Sequence, residues 1–496
     1  MAVLEEPVKE IKDVKNYING EWVESKGEIV DVVNPANCKT IGRVPISTKE
    51  EINAAVAAAQ EAWPDWRRTT PLARSRILFR LKDLLEENFE EISRIQTQEH
   101  GKCIDESRGE TRRGIENVEV ACGIPTLMQG YYSEDIAHGI DEWLIPTPLG
   151  VFGIIGPFNF PWMIPLWSAP YAVATGNCIV IKPSSEVPLS QMKLAELAEE
   201  AGFPPGVWNV VNGGRTVVNG MLDHPDIVGI TFVGSTPTGR DVIYKRCGET
   251  GKRVIAQCGA KNFMTIMPDC DVDRTVAAMM TSFFGNTGQR CLAATNAVIV
   301  GDDDAFYRDF VDRVIARTSN IKIGYGLDEA VQMGPIRDKT KKENVLRYIE
   351  TGLQEGAKLL LDGRKVDIIG DYPDTCFIGP TIFEDVKPDS KVGSEEIFGP
   401  VMSIMRVKTL EEAIEISNAN SFGNGHSIFT SSGKSAREYQ YNILSGNVGI
   451  NIGIVAPVAF FPFSGMKESF YGVLHTQGKE AIRFFTESKV VIQRWF

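Results

Sequence analysis

The chain has 496 residues, 43% hydrophobic and 24% charged, which suits a soluble globular protein of two or three domains. Its net charge of −13, from 52 basic and 65 acidic residues, argues against generic binding to nucleic acid or an anionic membrane surface. Nine scattered cysteines without a CxxC pair, and five unclustered histidines, predict a reducing, cytoplasmic setting and no metal site. The start Met1-Ala2-Val3-Leu4 has no basic or apolar leader region, and no apolar run is long enough to span a bilayer, so neither a secretory signal nor a membrane span is expected.

Residues 16–46 read as short strands, with Asn19-Gly20 turning a hairpin before Glu21-Trp22-Val23. Ser47 to Glu50 resembles a capping box and predicts a helix over 51–62. Ile77, Leu78, Leu81, Leu84, Leu85 and Phe89 recur at helical spacing within Pro71–Gly101. Asp105–Met128 is a third helical region, in which Arg112 and Arg113 stand beside Glu116 and Glu119; read locally, these are surface pairs of little worth. Trp143–Pro148 is strand-like. Strands at 151–156, 177–182, 207–211, 227–233 and 253–258 then alternate with helices at 189–201, 216–223 and 236–247. That alternation predicts βαβ units and a parallel sheet covered on both faces, with ligands at the carboxyl ends of its strands. A second α/β unit follows, with strands at 263–267, 297–300 and 401–406 and helices at 272–284, 305–319, 339–356 and 410–419. The stretch 361–400 is rich in Gly, Pro and Asp. In the tail, Lys489-Val-Val-Ile-Gln-Arg494 is a strand able to pair outside its own domain.

Five motifs could carry chemistry. After the helix at 272–284, Gly285 and Gly288 free the backbone for a tight loop ending in Arg290-Cys291. A lone cysteine is usually a buried structural residue, but a thiol on such a loop can reach a ligand, and an adjacent cation such as Arg290 would raise its thiolate fraction. Thr231-Phe-Val-Gly234-Ser235 puts a glycine and hydroxyls where a strand meets a helix, either a simple N-cap turn or a phosphate seat. Lys182 ends the strand Ile179-Val-Ile-Lys182, as a solvated lysine or a cation facing a ligand. Asn159, between aromatics and prolines, either satisfies a turn or donates to an oxyanion. Glu396, in Glu395-Glu396-Ile-Phe398-Gly-Pro400, reads alone as a loop acid.

Taken together and in this order, Pro157-Phe-Asn159-Phe-Pro161, Ile181-Lys182-Pro183-Ser184, Phe232-Val-Gly234-Ser235, Gly288-Gln-Arg290-Cys291 and Glu396-Ile-Phe398-Gly-Pro400 resemble the aldehyde dehydrogenase superfamily, from about Tyr17 to the C-terminus. Within it the chain is most similar to the CoA-acylating methylmalonate-semialdehyde dehydrogenases, through Lys15–Val23, Arg113–Glu119, Gly259-Ala-Lys-Asn262 and Ala456–Gly465. The resemblance implies an α/β fold with a Rossmann-like cofactor domain in two segments (1–124 and 148–258), a catalytic domain (259–465), and a β oligomerisation arm (125–147) that works with the C-terminal tail (466–496) in a homodimer or homotetramer. It also implies that Cys291 attacks an aldehyde, while Asn159 and the Cys291 N–H hold the oxyanion and NAD receives the hydride. Lys182 and Glu396 would hold the cofactor riboses, Gly234 and Ser235 its pyrophosphate, and Phe398 would pack near the nicotinamide. By the same resemblance Arg113 and Arg290 grip a substrate carboxylate, which points to methylmalonate or malonate semialdehyde; succinate semialdehyde or a sulfonated aldehyde fits the same charges.

The chain departs from the superfamily at three places. Hydrolytic members carry a glutamate, the base that activates water, where this chain has Gln257. A neutral amide cannot take that proton, so the thioester is expected to wait for the thiol of coenzyme A; Glu396 is the carboxylate that could approach instead. Where relatives have histidine after Ala-Lys-Asn, this chain has Phe263. Ser185 replaces a glutamate that repels a 2′-phosphate, which opens the site to NADP, although Glu186 could restore the repulsion.

Overall fold

The computed structural model describes residues 3–496; Met1 and Ala2, the start of the predicted segment 1–124, lie outside the described residues. Two open sheets dominate. The first has eight strands in the order 470–472, 253–257, 227–233, 151–155, 178–182, 208–210, 16–18, 21–23. Its five central strands pair in parallel, and antiparallel strands close both edges. Val151–Ile155 and Cys178–Lys182 are buried throughout, as helices on both faces require. From 151–155 the chain steps one way across the sheet to 178–182 and 208–210, then returns to build 227–233 and 253–257 on the other side. The switch point therefore lies between Val151–Ile155 and Ile227–Val233, and a crevice opens beyond their carboxyl ends.

The second sheet has seven strands in the order 358–361, 381–384, 401–407, 294–300, 262–266, 425–429, 447–450, all parallel except the first. The amino ends of 262–266, 294–300 and 425–429 meet at the Cys291 loop. A third, antiparallel sheet joins Thr486–Gln493 to Ile140–Pro148 and Tyr131–Ala137. Within the predicted tail 466–496, Phe470–Gly472 instead pairs with Arg253–Gln257 in the first sheet. Among the described residues, no helix is long and apolar enough to cross a membrane.

Most elements fall where their periodicity puts them. Asn19 and Gly20, at φ 55° and 78°, make the expected tight hairpin turn. The capping box sits one residue later than read, Thr48 with Glu51, and its helix runs Lys49–Trp66. The predicted helix over 71–101 is two, Pro71–Glu87 and Phe89–His100, because Asn88 leaves helical geometry and opens the second. Arg112 pairs with Glu86 on the first of these helices (2.5 Å), not with the acids of its own helix.

Candidate active site

Cys291 follows a loop whose conformation is imposed from outside. Asn286 and Thr287 adopt left-handed φ of 51° and 54°, which costs non-glycine residues about 1 kcal/mol or more each. Neighbours compensate: Asn286 N–H donates to Glu106 Oε1, Asn286 Nδ2 to the carbonyl of Gln289 (3.2 Å), and Thr287 Oγ1 to the carbonyl of Gly334 (2.8 Å). Gly288 has φ 71°, and a Cβ there would lie 2.2 Å from the carbonyl oxygen of Gly399. Only glycine lets the Cys291 loop press back to back against the loop that carries Phe398.

The Asn159 loop is fixed from beneath by a buried ion pair. Lys102 Nζ donates to Glu110 Oε2 (2.5 Å), with both side chains wholly shielded. Lys102 Nζ also donates to the carbonyl of Asn159 (2.6 Å), and Glu110 Oε1 accepts from the N–H groups of Trp162 (2.9 Å) and Met163 (3.1 Å). The side-chain amide of Asn159 donates to the carbonyl of Gln289, two residues before the thiol, at 3.1 Å. The Asn159 loop, after strand 151–155 of the first sheet, and the Cys291 loop, before strand 294–300 of the second, are thus joined by a hydrogen bond.

Cys291, Arg290 and Arg113 open on a single cavity of about 460 Å³, walled by Phe160, Trp167 and Phe463. Both guanidinium groups are already paired. Arg290 donates to Glu106 Oε1 (2.9 Å) and to the carbonyl of Thr281 (3.1 Å), while Arg113 lies 3.2 Å from Glu116 Oε2. Arg290 acts on the Cys291 thiol in the expected direction, toward the thiolate, but other effects outweigh it. Burial first, and then the charge of Glu396, push Cys291 up to about 12; Arg290, engaged with Glu106, offsets this only slightly. Glu106 was not singled out in the sequence, and only its place in a Cys103-x-x-Glu106 cap hinted at a fixed position.

At the crevice, Lys182 ends its strand with Nζ buried and donating to the carbonyls of Pro183 (2.6 Å) and Gly213 (3.3 Å); burial lowers it to about 8. Gly234 and Ser235 follow Ile227–Val233, and Ser235 stands exposed at the start of the helical run 236–250. Glu396 Oε1 accepts from Ala260 N–H (2.8 Å), and burial raises this carboxyl to about 7. Among the described residues no protein donor reaches its Oε2. Phe398, at φ 58°, packs edge-on to Phe158 with ring centres 5.9 Å apart. Ser185, three residues after Lys182, is half-buried. Glu186, the residue that could restore the repulsion of a 2′-phosphate, has its carboxylate accepting from Lys341 Nζ (2.8 Å) and 3.9 Å from Arg337 Nε. These groups fit a dinucleotide: a buried cation and a hydroxyl at a helix start, both at carboxyl ends of the first sheet's strands, and a carboxyl that is bonded to Ala260 just beyond strand 253–257 and keeps one oxygen free.

Gln257, where a water-activating acid would stand, donates through Nε2 to the carbonyl of Phe463 (2.7 Å). Phe263 fills the position after Asn262 as a buried ring, edge-on to His426 at 5.5 Å.

Residues 22–491 match the sequence profile of the aldehyde dehydrogenase family. A malonate-semialdehyde dehydrogenase of Geobacillus kaustophilus is 46% identical over 486 residues, which cover 98% of this chain and 99% of that protein. The crystal structure of a methylmalonate-semialdehyde dehydrogenase from Oceanimonas doudoroffii superposes with a TM-score of 0.95 at 41% identity, covering 98% of each chain. An aldehyde dehydrogenase from Bacillus cereus, solved as an NAD+ complex, superposes with a TM-score of 0.92 at 31% identity over 97% of each chain.

Proposed function

The chain belongs to the aldehyde dehydrogenase family, and we propose that it oxidises malonate or methylmalonate semialdehyde through a thioester on Cys291 that is passed to coenzyme A. The observation that carries this reading is the meeting of Cys291, Arg290 and Arg113 in one cavity whose wall residue Phe463 is bonded to an amide, Gln257, that cannot act as a base. The relatives named for these substrates support the choice of aldehyde.

Lys182, Gly234, Ser235, Glu396 and Phe398 would hold the cofactor, with Ser185 at its adenosine end. Bound there, NAD supplies the acceptor for the aldehyde hydride; with Ser185 neutral and Glu186 engaged by Lys341, NADP is accepted as well. The chain's own residues do the rest. The Cys291 thiolate bonds to the aldehyde carbon, and the carbonyl oxygen becomes an oxyanion held by the Asn159 amide and the Cys291 N–H. Collapse of that oxyanion returns the carbonyl and leaves a thioester on Cys291 as the hydride departs. With an amide at 257, the thioester persists until the thiolate of coenzyme A attacks its carbonyl and expels the Cys291 thiolate. Arg290 and Arg113 hold the substrate carboxylate, which competes with Glu106 and Glu116 for them.

A second reading has one observation in its favour. Glu396 is raised to about 7 and its charge reaches Cys291, so it could activate water and release a free acid. Turnover with and without coenzyme A separates the two.

The arm and the strand Thr486–Gln493 leave Tyr131, Tyr132, Ile136, Val490 and Ile492 exposed, a surface suited to a homodimer or homotetramer. Nine free cysteines suit a reducing, cytoplasmic compartment.

A further inference from the structure

Two buried asparagines converge on the backbone of the nucleophile. Asn262 Nδ2 donates to the carbonyl oxygens of Cys291 (2.8 Å) and Ala293 (2.8 Å), while its Oδ1 accepts from Gly425 N–H (3.0 Å). Asn424 Nδ2 donates to the same Cys291 carbonyl at 2.9 Å. The two residues are 3% and 1% exposed, and they come from neighbouring parallel strand ends 162 positions apart (424 − 262). Asn424 Oδ1 is buried without a partner, so this side chain donates at Nδ2 while its acceptor stays unsatisfied.

The geometry of a peptide unit gives this convergence a consequence. The Cys291 carbonyl and the Leu292 N–H belong to one planar trans peptide, so they point in opposite directions. Two donors fixing the carbonyl on one side fix the N–H on the other. The N–H groups of both Cys291 and Leu292 favour the Cys291 thiolate against the burial that opposes it.

We propose that Asn262 and Asn424 are positioning residues that clamp the Cys291–Leu292 peptide so that the Leu292 N–H is aimed at the Cys291 sulfur. The clamp rests on the assignment of Cys291 as nucleophile, and it adds to the small thiolate stabilisation that Arg290, paired with Glu106, gives. It also accounts for asparagine at both positions. Each must donate a hydrogen bond to a carbonyl in a buried space, and Asn262 must accept from Gly425 as well.

The test is the pH dependence of Cys291 alkylation by iodoacetamide, followed by mass spectrometry of the Cys291 peptide in the full-length protein. Asn424→Ala removes one donor and no other hydrogen bond of the side chain; Asn262→Ala removes the second donor. The clamp predicts that each variant alkylates Cys291 about threefold to tenfold more slowly at a fixed pH, and that the profile moves to higher pH. It also predicts a fall in kcat with less than a twofold change in KM for NAD. An unchanged alkylation profile in the variant that retains NAD binding overturns the proposal. Loss of NAD binding in both overturns it too, because the amides would then hold the fold rather than the thiol. Cys291→Ser turnover is read separately: if it retains activity the nucleophile assignment fails, whatever the alkylation profiles show.

Discussion

Gln257 Nε2 donates to the carbonyl of Phe463 at 2.7 Å, and Phe463 lines the same cavity as Cys291. The amide is therefore tied to the wall of that cavity by a bond that a carboxylate cannot make. Gln257→Glu places a carboxylate beside a carbonyl it cannot donate to, and leaves it able to take a proton from water. The variant is expected to release free acid without coenzyme A at least tenfold faster than the parent, as measured by product analysis after a single turnover. An unchanged hydrolysis rate would show that the residue at 257 does not set the acyl acceptor.

Arg290 is bonded to Glu106 at 2.9 Å in the free protein. A substrate carboxylate that replaces Glu106 keeps a charge-assisted bond of about 1.5–3 kcal/mol. Arg290→Leu and Arg113→Ala are expected to raise KM for malonate semialdehyde by about tenfold or more and to leave KM for propanal within about twofold. Glu106→Gln, which frees Arg290, is expected to lower KM for the anionic substrate. Steady-state kinetics on both aldehydes checks all three.

The Lys102–Glu110 pair is wholly shielded, and each partner also holds the backbone of the Asn159 loop. Lys102→Met leaves a buried carboxylate without its counter-charge, a loss of about 3–5 kcal/mol. A lowered melting temperature with a fall in kcat is expected, whereas an exposed pair such as Arg313–Asp309 can be broken with a change near zero.

The chemistry of the site was legible where its residues are neighbours in sequence. Gly285, Gly288 and Cys291 read as a tight loop with a thiol because backbone demands are local, and Asn159 stood out between aromatics and prolines. The strands at 151–155 and 178–182 were legible because burial on both faces leaves an uninterrupted apolar run. What could not be read was whatever depends on long closures. Arg290 meets Glu106 across 184 positions and Asn424 meets Cys291 across 133. Nothing beside Arg290 shows that its charge is already met by Glu106, or that burial of the thiol outweighs it. Tyr131–Ala137 escaped notice because this arm strand has mostly exposed side chains and little apolar alternation.

Burial and the negative charge of Glu396 both keep the Cys291 thiol protonated, at about 12. Below that value the thiolate fraction rises tenfold per pH unit, so alkylation of Cys291 in the free protein is expected to accelerate steadily from pH 7 to 10. Glu396→Gln removes a charge that disfavours the thiolate, so it should alkylate faster at every pH in that range. If the variant is slower, the carboxylate assists the thiol instead of opposing it.

Ser185→Glu would place a second carboxylate near the end of the Lys182 strand, where Glu186 is already engaged by Lys341. The ratio of kcat/KM for NAD over NADP is expected to rise by about tenfold or more, through like-charge repulsion of the 2′-phosphate.

The central claim is that acyl groups wait on Cys291 until a thiol removes them. Mixing enzyme, NAD and malonate semialdehyde without coenzyme A, quenching in acid and weighing the Cys291 peptide tests it most directly. The account predicts a stoichiometric acyl adduct on Cys291 that disappears when coenzyme A is added before the quench, with acyl-CoA as the product. Free acid formed at the full rate without coenzyme A, or turnover with no adduct on that peptide, would contradict it.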